Sequence, residues 1–92
     1  MSNLAGGLTP KPSTDFKVIE MANFAVDGMA AFEKSGARYK LVKVVSAATQ
    51  VVAGMNYVLT LDVTKDGRPA KMDAKVFLDL RGNKQITGAS VT

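Results

Sequence analysis

Two periods of hydrophobic spacing divide this chain. From Val18 onward, Val18, Ala22, Ala25, Met29 and Phe32 recur at helical spacing while Lys17, Glu20, Asn23, Asp27 and Lys34 take the other face, which predicts one amphipathic helix ending near Gly36. Any of Ser13, Thr14 or Asp15 can cap its N-terminus by accepting a bond from an orphan N–H. Gly28, inside the helix, costs about 1 kcal/mol against alanine, so either close packing with a strand favours it or the helix tolerates the loss. After Gly36 the period drops to two. Leu41 to Val45 and Tyr57 to Val63 read as strands, with Tyr57, Leu59, Leu61 and Val63 on one face and Val58, Thr60, Asp62 and Thr64 on the other. Lys65-Asp66-Gly67-Arg68 is a tight turn, since Asp-Gly suits positive φ. A third strand follows, with Met72, Ala74, Val76, Leu78 and Leu80 alternating against Asp73, Lys75, Phe77 and Asp79, and a last short strand runs from about Gln85 to Val91. The plan is α+β, a helix covering one face of an antiparallel sheet.

Before the helix, Met1 to Ser13 is a mixture of Gly, Pro, Ser, Thr and Asn, and Pro10 and Pro12 forbid a helix there. It reads as an extended, flexible leader. The link between the first two strands breaks the usual rule for turns. Gln50-Val51-Val52-Ala53-Gly54, with Met55 after it, offers solvent two valines, an alanine and a methionine where Asn, Asp and Gly would be ordinary. An apolar apex on a hairpin is tolerated mainly where it will meet a partner.

The segment Gln50-x-Val52-x-Gly54 resembles the hallmark of the cystatins, protein inhibitors of papain-like cysteine proteases. Other segments resemble the family in the same order. Leu4-Ala5-Gly6-Gly7-Leu8 is similar to its glycine-bearing N-terminal trunk, and Met21-Ala22-Asn23-Phe24-Ala25-Val26 to the helix signature of the plant members. Lys75-Val76-Phe77 with Leu80-Arg81-Gly82 resembles the stefin pattern, and Ile86-Thr87-Gly88 the start of the last strand. The resemblance implies a cystatin-like fold, one long helix across a curved antiparallel sheet of four to five strands, in a single domain over 1–92 with 1–13 as the trunk. It also implies a reversible, tight-binding competitive inhibitor whose trunk and two hairpin loops enter the protease cleft side by side. Carried over by residue, Leu4, Ala5, Gly6 and Gly7 belong to the trunk, Gln50, Val51, Val52, Ala53 and Gly54 to the first loop, and Leu80 and Arg81 to the second. Arg81 stands where stefins have proline, the link from Gly82 to Ile86 is shorter than theirs, and Ala5 is small for its subsite, so affinity is expected to lean on the first loop. The alternatives are a non-inhibitory binding module on the same fold, or a domain-swapped form in which the first loop straightens and is consumed.

Composition narrows the classes further. Ninety-two residues, 47% hydrophobic and 22% charged, suffice for one core and no second. With neither cysteine nor histidine, disulfides, thiolate or imidazole metal sites and ordinary hydrolytic triads are all excluded. Asp62, Asp66, Asp73 and Asp79 remain as carboxylates that could pair for catalysis, although Asp62 and Asp73 fall on a solvated strand face. The expectation is therefore no enzyme, no cofactor and no metal. The net charge of +4 comes from basic residues spread along strands and turns without a dense block, and aromatics for base stacking are few, so nucleic acid is not expected as a partner. No apolar run approaches the roughly 20 residues that span a bilayer, and Met1-Ser2-Asn3-Leu4 lacks the features of an export leader. A cytoplasmic protein is expected, or a secreted one if a leader has been removed.

Overall fold

The computed structural model describes residues 7–92. One helix, α1 (Phe16–Glu33), lies on a five-stranded antiparallel meander of β1 (Thr9–Lys11), β2 (Tyr39–Val52), β3 (Gly54–Lys65), β4 (Arg68–Leu78) and β5 (Lys84–Val91), ordered as in the chain. Asp15 is the cap among the three candidates: its Oδ1 accepts the Val18 N–H at 3.0 Å. The helix ends at Glu33, three residues before the expected Gly36, because Lys34 itself turns left-handed at φ 58° and the Ser35 N–H closes back onto the Ala30 carbonyl at 2.9 Å.

The core is a single layer between α1 and the sheet. Val18, Met21, Ala22, Ala25, Val26 and Met29 from the helix meet Tyr57, Leu59, Leu61 and Val63 of β3 and Met72, Ala74 and Val76 of β4. The buried helical stripe is thus wider than one residue per turn, taking in Met21 and Val26. It also ends sooner: Met29 is its last member, and Phe32, expected inside, is 43% exposed. The final helical turn is fixed instead by polar bonds, with the Glu33 carboxylate accepting from the Ser35 and Tyr39 hydroxyls. Those donors hold the Glu33 carboxyl below its ordinary pKa, and burial together with Glu33 pushes the Tyr39 phenol up to about 12.

Gly28 faces Ile86 of β5. A Cβ there would lie 3.0 Å from Ile86 Cδ1, so close packing accounts for the glycine. Since the obstacle is the far end of one side chain, Gly28→Ala in an Ile86→Val background is expected to stabilise the chain by about 1 kcal/mol relative to Ile86→Val alone, measured by urea unfolding. In the unmodified background the gain is expected to shrink or vanish.

Two features of the sheet depart from the sequence reading. β1 adds a strand within the presumed leader, pairing Thr9 with Thr49, Pro10 with Ala48 and Lys11 with Ala47. Pro10 is compatible with it because an edge strand can spare one N–H. At the other end of the alternation, β4 stops at Leu78, so Leu80 leaves the inward-facing stripe and is 84% exposed.

β3 has 12 residues, and at about 3.3 Å per residue its ends lie roughly 36 Å apart, close to the 39 Å long axis of the molecule. The β2–β3 and β4–β5 connections lie at one end of that axis. The β3–β4 turn and the C-terminus of α1 lie at the other, tied together where the Arg38 N–H donates to Asp66 Oδ1 at 2.9 Å and the Asp66 N–H to the Arg38 carbonyl at 2.8 Å.

Candidate functional site

The first loop is shorter than the five residues that define it in sequence. β2 and β3 stay paired up to Val51 with Met55 and Val52 with Gly54, leaving Ala53 alone at the apex. Val51 is 64% and Val52 44% exposed although both are strand residues. Gln50 stands at the neck, where its Oε1 accepts the Asn56 Nδ2–H at 3.2 Å across the two strands.

Gly54 joins this apex to the rest of the end. Its φ is +126°, and a Cβ would meet the Leu78 carbonyl oxygen at 2.4 Å and the Phe77 ring at 3.0 Å. Both backbone freedom and space require glycine. The first hairpin therefore rests on the last residues of β4, from which the second loop springs.

That loop, 79–83, is organised by Asp79. Its Oδ1 accepts the N–H groups of Arg81 (2.8 Å) and Asn83 (2.9 Å), its Oδ2 the Asn83 side-chain N–H (3.1 Å), and its own N–H donates to the Asn83 carbonyl at 2.9 Å. Gly82, at φ +90°, closes the turn. The result holds Leu80 and Arg81 out at the tip, both exposed. The Asn83 amide first, and then the N–H groups of Arg81 and Gly82 and the Asn83 side chain, depress the Asp79 pKa below the ordinary carboxylate value. A depressed folded-state pKa stabilises the loop above the unfolded value and ceases to do so as pH falls through the folded one. The loop-two amide resonances are accordingly expected to stay unchanged as pH falls from neutral through the ordinary carboxylate range, and to shift or broaden only below it. Asp79→Ala should give the low-pH spectrum at neutral pH, because the N–H groups of Arg81 and Asn83 then lose their acceptor.

The third segment approaches from β1. Because Thr9 faces Thr49 in an antiparallel pair, the chain before it, Leu8 and Gly7, runs alongside the end of β2 that leads to Val51. Both residues are exposed, Leu8 at 58%. Leu4, Ala5 and Gly6 of the expected trunk lie outside the described residues.

Of the expected site, Gly7, Gln50 to Gly54, Leu80 and Arg81 thus share one end of the molecule. Leu8 as a member of this end, Asp79 as the organiser of the second loop and the Asn56–Gln50 rung were not foreseen from sequence. Asp79 had a signal, since Asp caps turns with its side chain and Gly82-Asn83 follows three residues on, but the alternation of β4 concealed it. Leu8 had none beyond its place in the trunk.

The carboxylates offered as an alternative chemistry are engaged elsewhere. Asp62 accepts Lys71 Nζ at 2.8 Å, which keeps its carboxyl below the usual range, and Lys43 lies 4.0 Å away; Asp73 accepts the Thr60 hydroxyl at 3.1 Å. Among the described residues no group of three or more His, Cys, Asp or Glu converges on a common point, and no helix is long and apolar enough to cross a membrane.

A single helix across a five-stranded meander, with two hairpin tips and the N-terminal chain at one end, defines the class, and comparison with known proteins agrees with it. A family profile described as the cystatin domain matches residues 6–91. The chain belongs to the cystatin family. A cystatin from Cryptophis nigrescens is 42% identical over 62 residues, covering 67% of this chain and 44% of that protein, so the chain spans less than half the length of the curated relatives it matches. Among solved structures, a salivary cystatin from the soft tick Ornithodoros moubata superposes with a TM-score of 0.81 at 25% identity, covering 97% of this chain and 99% of that one. A dimeric human cystatin F superposes at 0.82 with 11% identity over the whole of this chain and 90% of the other, a likeness of fold alone.

Proposed function

We propose that this chain is a reversible, tight-binding competitive inhibitor of papain-like cysteine proteases, and that its apolar end blocks the active-site cleft. The single observation behind the reading is the exposure of Val51, Val52 and Leu80 at the end where Gly7 and Leu8 also emerge. Family membership supports it. A protruding apolar edge suits a groove shaped for an extended peptide, and it enters without offering a scissile bond to the catalytic thiolate. Because hairpin pairing and the Asp79 turn already fix the tips, little conformational entropy is lost on docking. Leu4, Ala5, Gly6 and Gly7 would line the non-primed side of the cleft, Gln50 to Gly54 its centre, and Leu80 and Arg81 the far side. Similarity to a salivary cystatin supports secretion over a cytoplasmic location.

Titrating papain and a panel of cathepsin-type proteases with the monomer from gel filtration tests the proposal. Stoichiometric loss of activity is expected for at least one enzyme, and full activity throughout would refute it. A second reading, strand exchange between two copies through an opened first loop, is favoured by the one-residue apex next to Gly54 at φ +126°. The dimer fraction distinguishes it, because a swapped dimer has no first loop left and should not inhibit.

A further inference from the structure

The end opposite the hairpin tips carries much of the positive charge of the molecule. Lys34 at the helix C-terminus, Arg38 before β2, Lys40 in β2, and Lys65 and Arg68 on either side of the β3–β4 turn belong to segments pinned to one another by the Arg38–Asp66 backbone bonds and by the pairing of Lys40 with Thr64 and Lys65 with Arg68. All but the half-buried Lys65 are exposed. In sequence they look scattered; folding gathers them.

None of the five takes part in an ion pair among the described residues, where the four pairs present use Lys17, Lys43, Lys71 and Lys84 against Glu20 and Asp62. The two carboxylates at this end are occupied by uncharged donors, Glu33 by the Ser35 and Tyr39 hydroxyls and Asp66 by the Arg38 N–H. Five cations against two carboxylates leave a local excess of three, most of the +4 carried by the chain. The partial negative charge of the helix terminus beside Lys34 reduces the field only within the last turn.

The layout of these charges discriminates among anions. The cleft between Arg38, Lys40 and Thr64 also contains Asp66, which disfavours a single phosphate or sulfate held there alone. Stacking of single-stranded bases needs exposed aromatic faces, whereas Tyr39 is half-buried with Lys65 Nζ 5.8 Å from its ring. Insertion into a bilayer surface needs a group of apolar side chains among the cations; the turn residues here are Asp66 and Gly67, and the exposed Phe32 and Val42 belong to separate elements. A flexible chain bearing anions at intervals can pass round this end from Lys40, beside Thr64 on the outer sheet face, to Lys65 and Arg68 on the helix side. We propose that this pole is a binding surface for a linear sulfated polysaccharide. It lies a full strand length from the hairpin tips, so the two ends can be occupied together, and it does not depend on the protease reading.

Calorimetric titration with a size-defined heparin oligosaccharide at two salt concentrations tests this directly. Arg38→Glu with Arg68→Glu is expected to weaken binding at least 30-fold and to lower the log–log salt slope by about two. Lys11→Glu with Lys75→Glu, an equal change of net charge elsewhere, should weaken it less than 3-fold. If the first pair unfolds, as followed by circular dichroism, Arg38→Gln with Arg68→Gln should still give about a 10-fold loss. No binding by the unmodified chain, equal losses from both glutamate pairs, or tighter binding to phosphatidylserine vesicles or oligo-dT than to the oligosaccharide would overturn the proposal.

Discussion

Val52→Asp is expected to weaken inhibition of papain by roughly 100-fold or more while leaving the melting temperature within a few degrees of the parent. Val52 is 44% exposed in the free chain, so the substitution costs the fold little. In the complex an ionised carboxylate would be carried into an apolar, dehydrated groove, a penalty of about 3 kcal/mol or more, which converts to that fold-change. Removing Met1 to Gly6 should weaken inhibition less, because hairpin pairing already fixes the first loop and Ala5 is small for its subsite. If the truncation abolished inhibition and Val52→Asp left it intact, the ranking of the three segments would be reversed. Assay of both variants with a fluorogenic peptide substrate decides between these outcomes.

Gly54→Ala is expected to cost about 3 kcal/mol of stability, lowering the melting temperature by on the order of 15 °C. Two causes act together at this position: a φ of +126° that side chains rarely adopt, and a Cβ that would sit 2.4 Å from the Leu78 carbonyl oxygen. Backbone must move, since neither party is the end of a flexible side chain. Gly67→Ala is the natural comparison, for Gly67 has φ +82° but nothing within 4 Å of its missing Cβ, and strain alone should cost about 1 kcal/mol. Equal losses for the two would show that the contact between the hairpin apex and β4 does not matter. Inhibition by Gly54→Ala should also fall beyond what instability explains, because the shift separates the two loops.

The period-two alternation of β3 and β4 was readable from sequence because each strand has one face on the core and one in solvent, with a register free of bulges between them. β2 was harder. Its pairing slips between Leu41 and Lys43 and again between Val44 and Ser46, and Val42 and Val45, at those slips, are 61% and 44% exposed. Each slip resets the alternation, so only a fragment of a 14-residue strand could be seen. β1 was concealed by Pro10 and Pro12, which argue against a helix but are silent about a short edge pairing.

For the candidate site, the apolar apex was visible because valines at a hairpin tip contradict ordinary turn chemistry. The contact that holds the apex against the second loop was not, because it joins the backbone of residue 54 to that of residue 78 and leaves no trace in either local pattern. The role of Asp79 was hidden for a related reason: its position continues the polar face of β4, and only the early end of that strand at Leu78 turns it from a solvated side chain into the organiser of a loop.

Steady-state kinetics of papain with monomeric chain present, over a range of peptide substrate concentrations, test most directly whether the apolar end occupies the cleft. With inhibitor depletion included in the fit, competition predicts an apparent inhibition constant that rises linearly with substrate concentration. An apparent constant independent of substrate concentration, or undiminished turnover with the chain in excess, would contradict it.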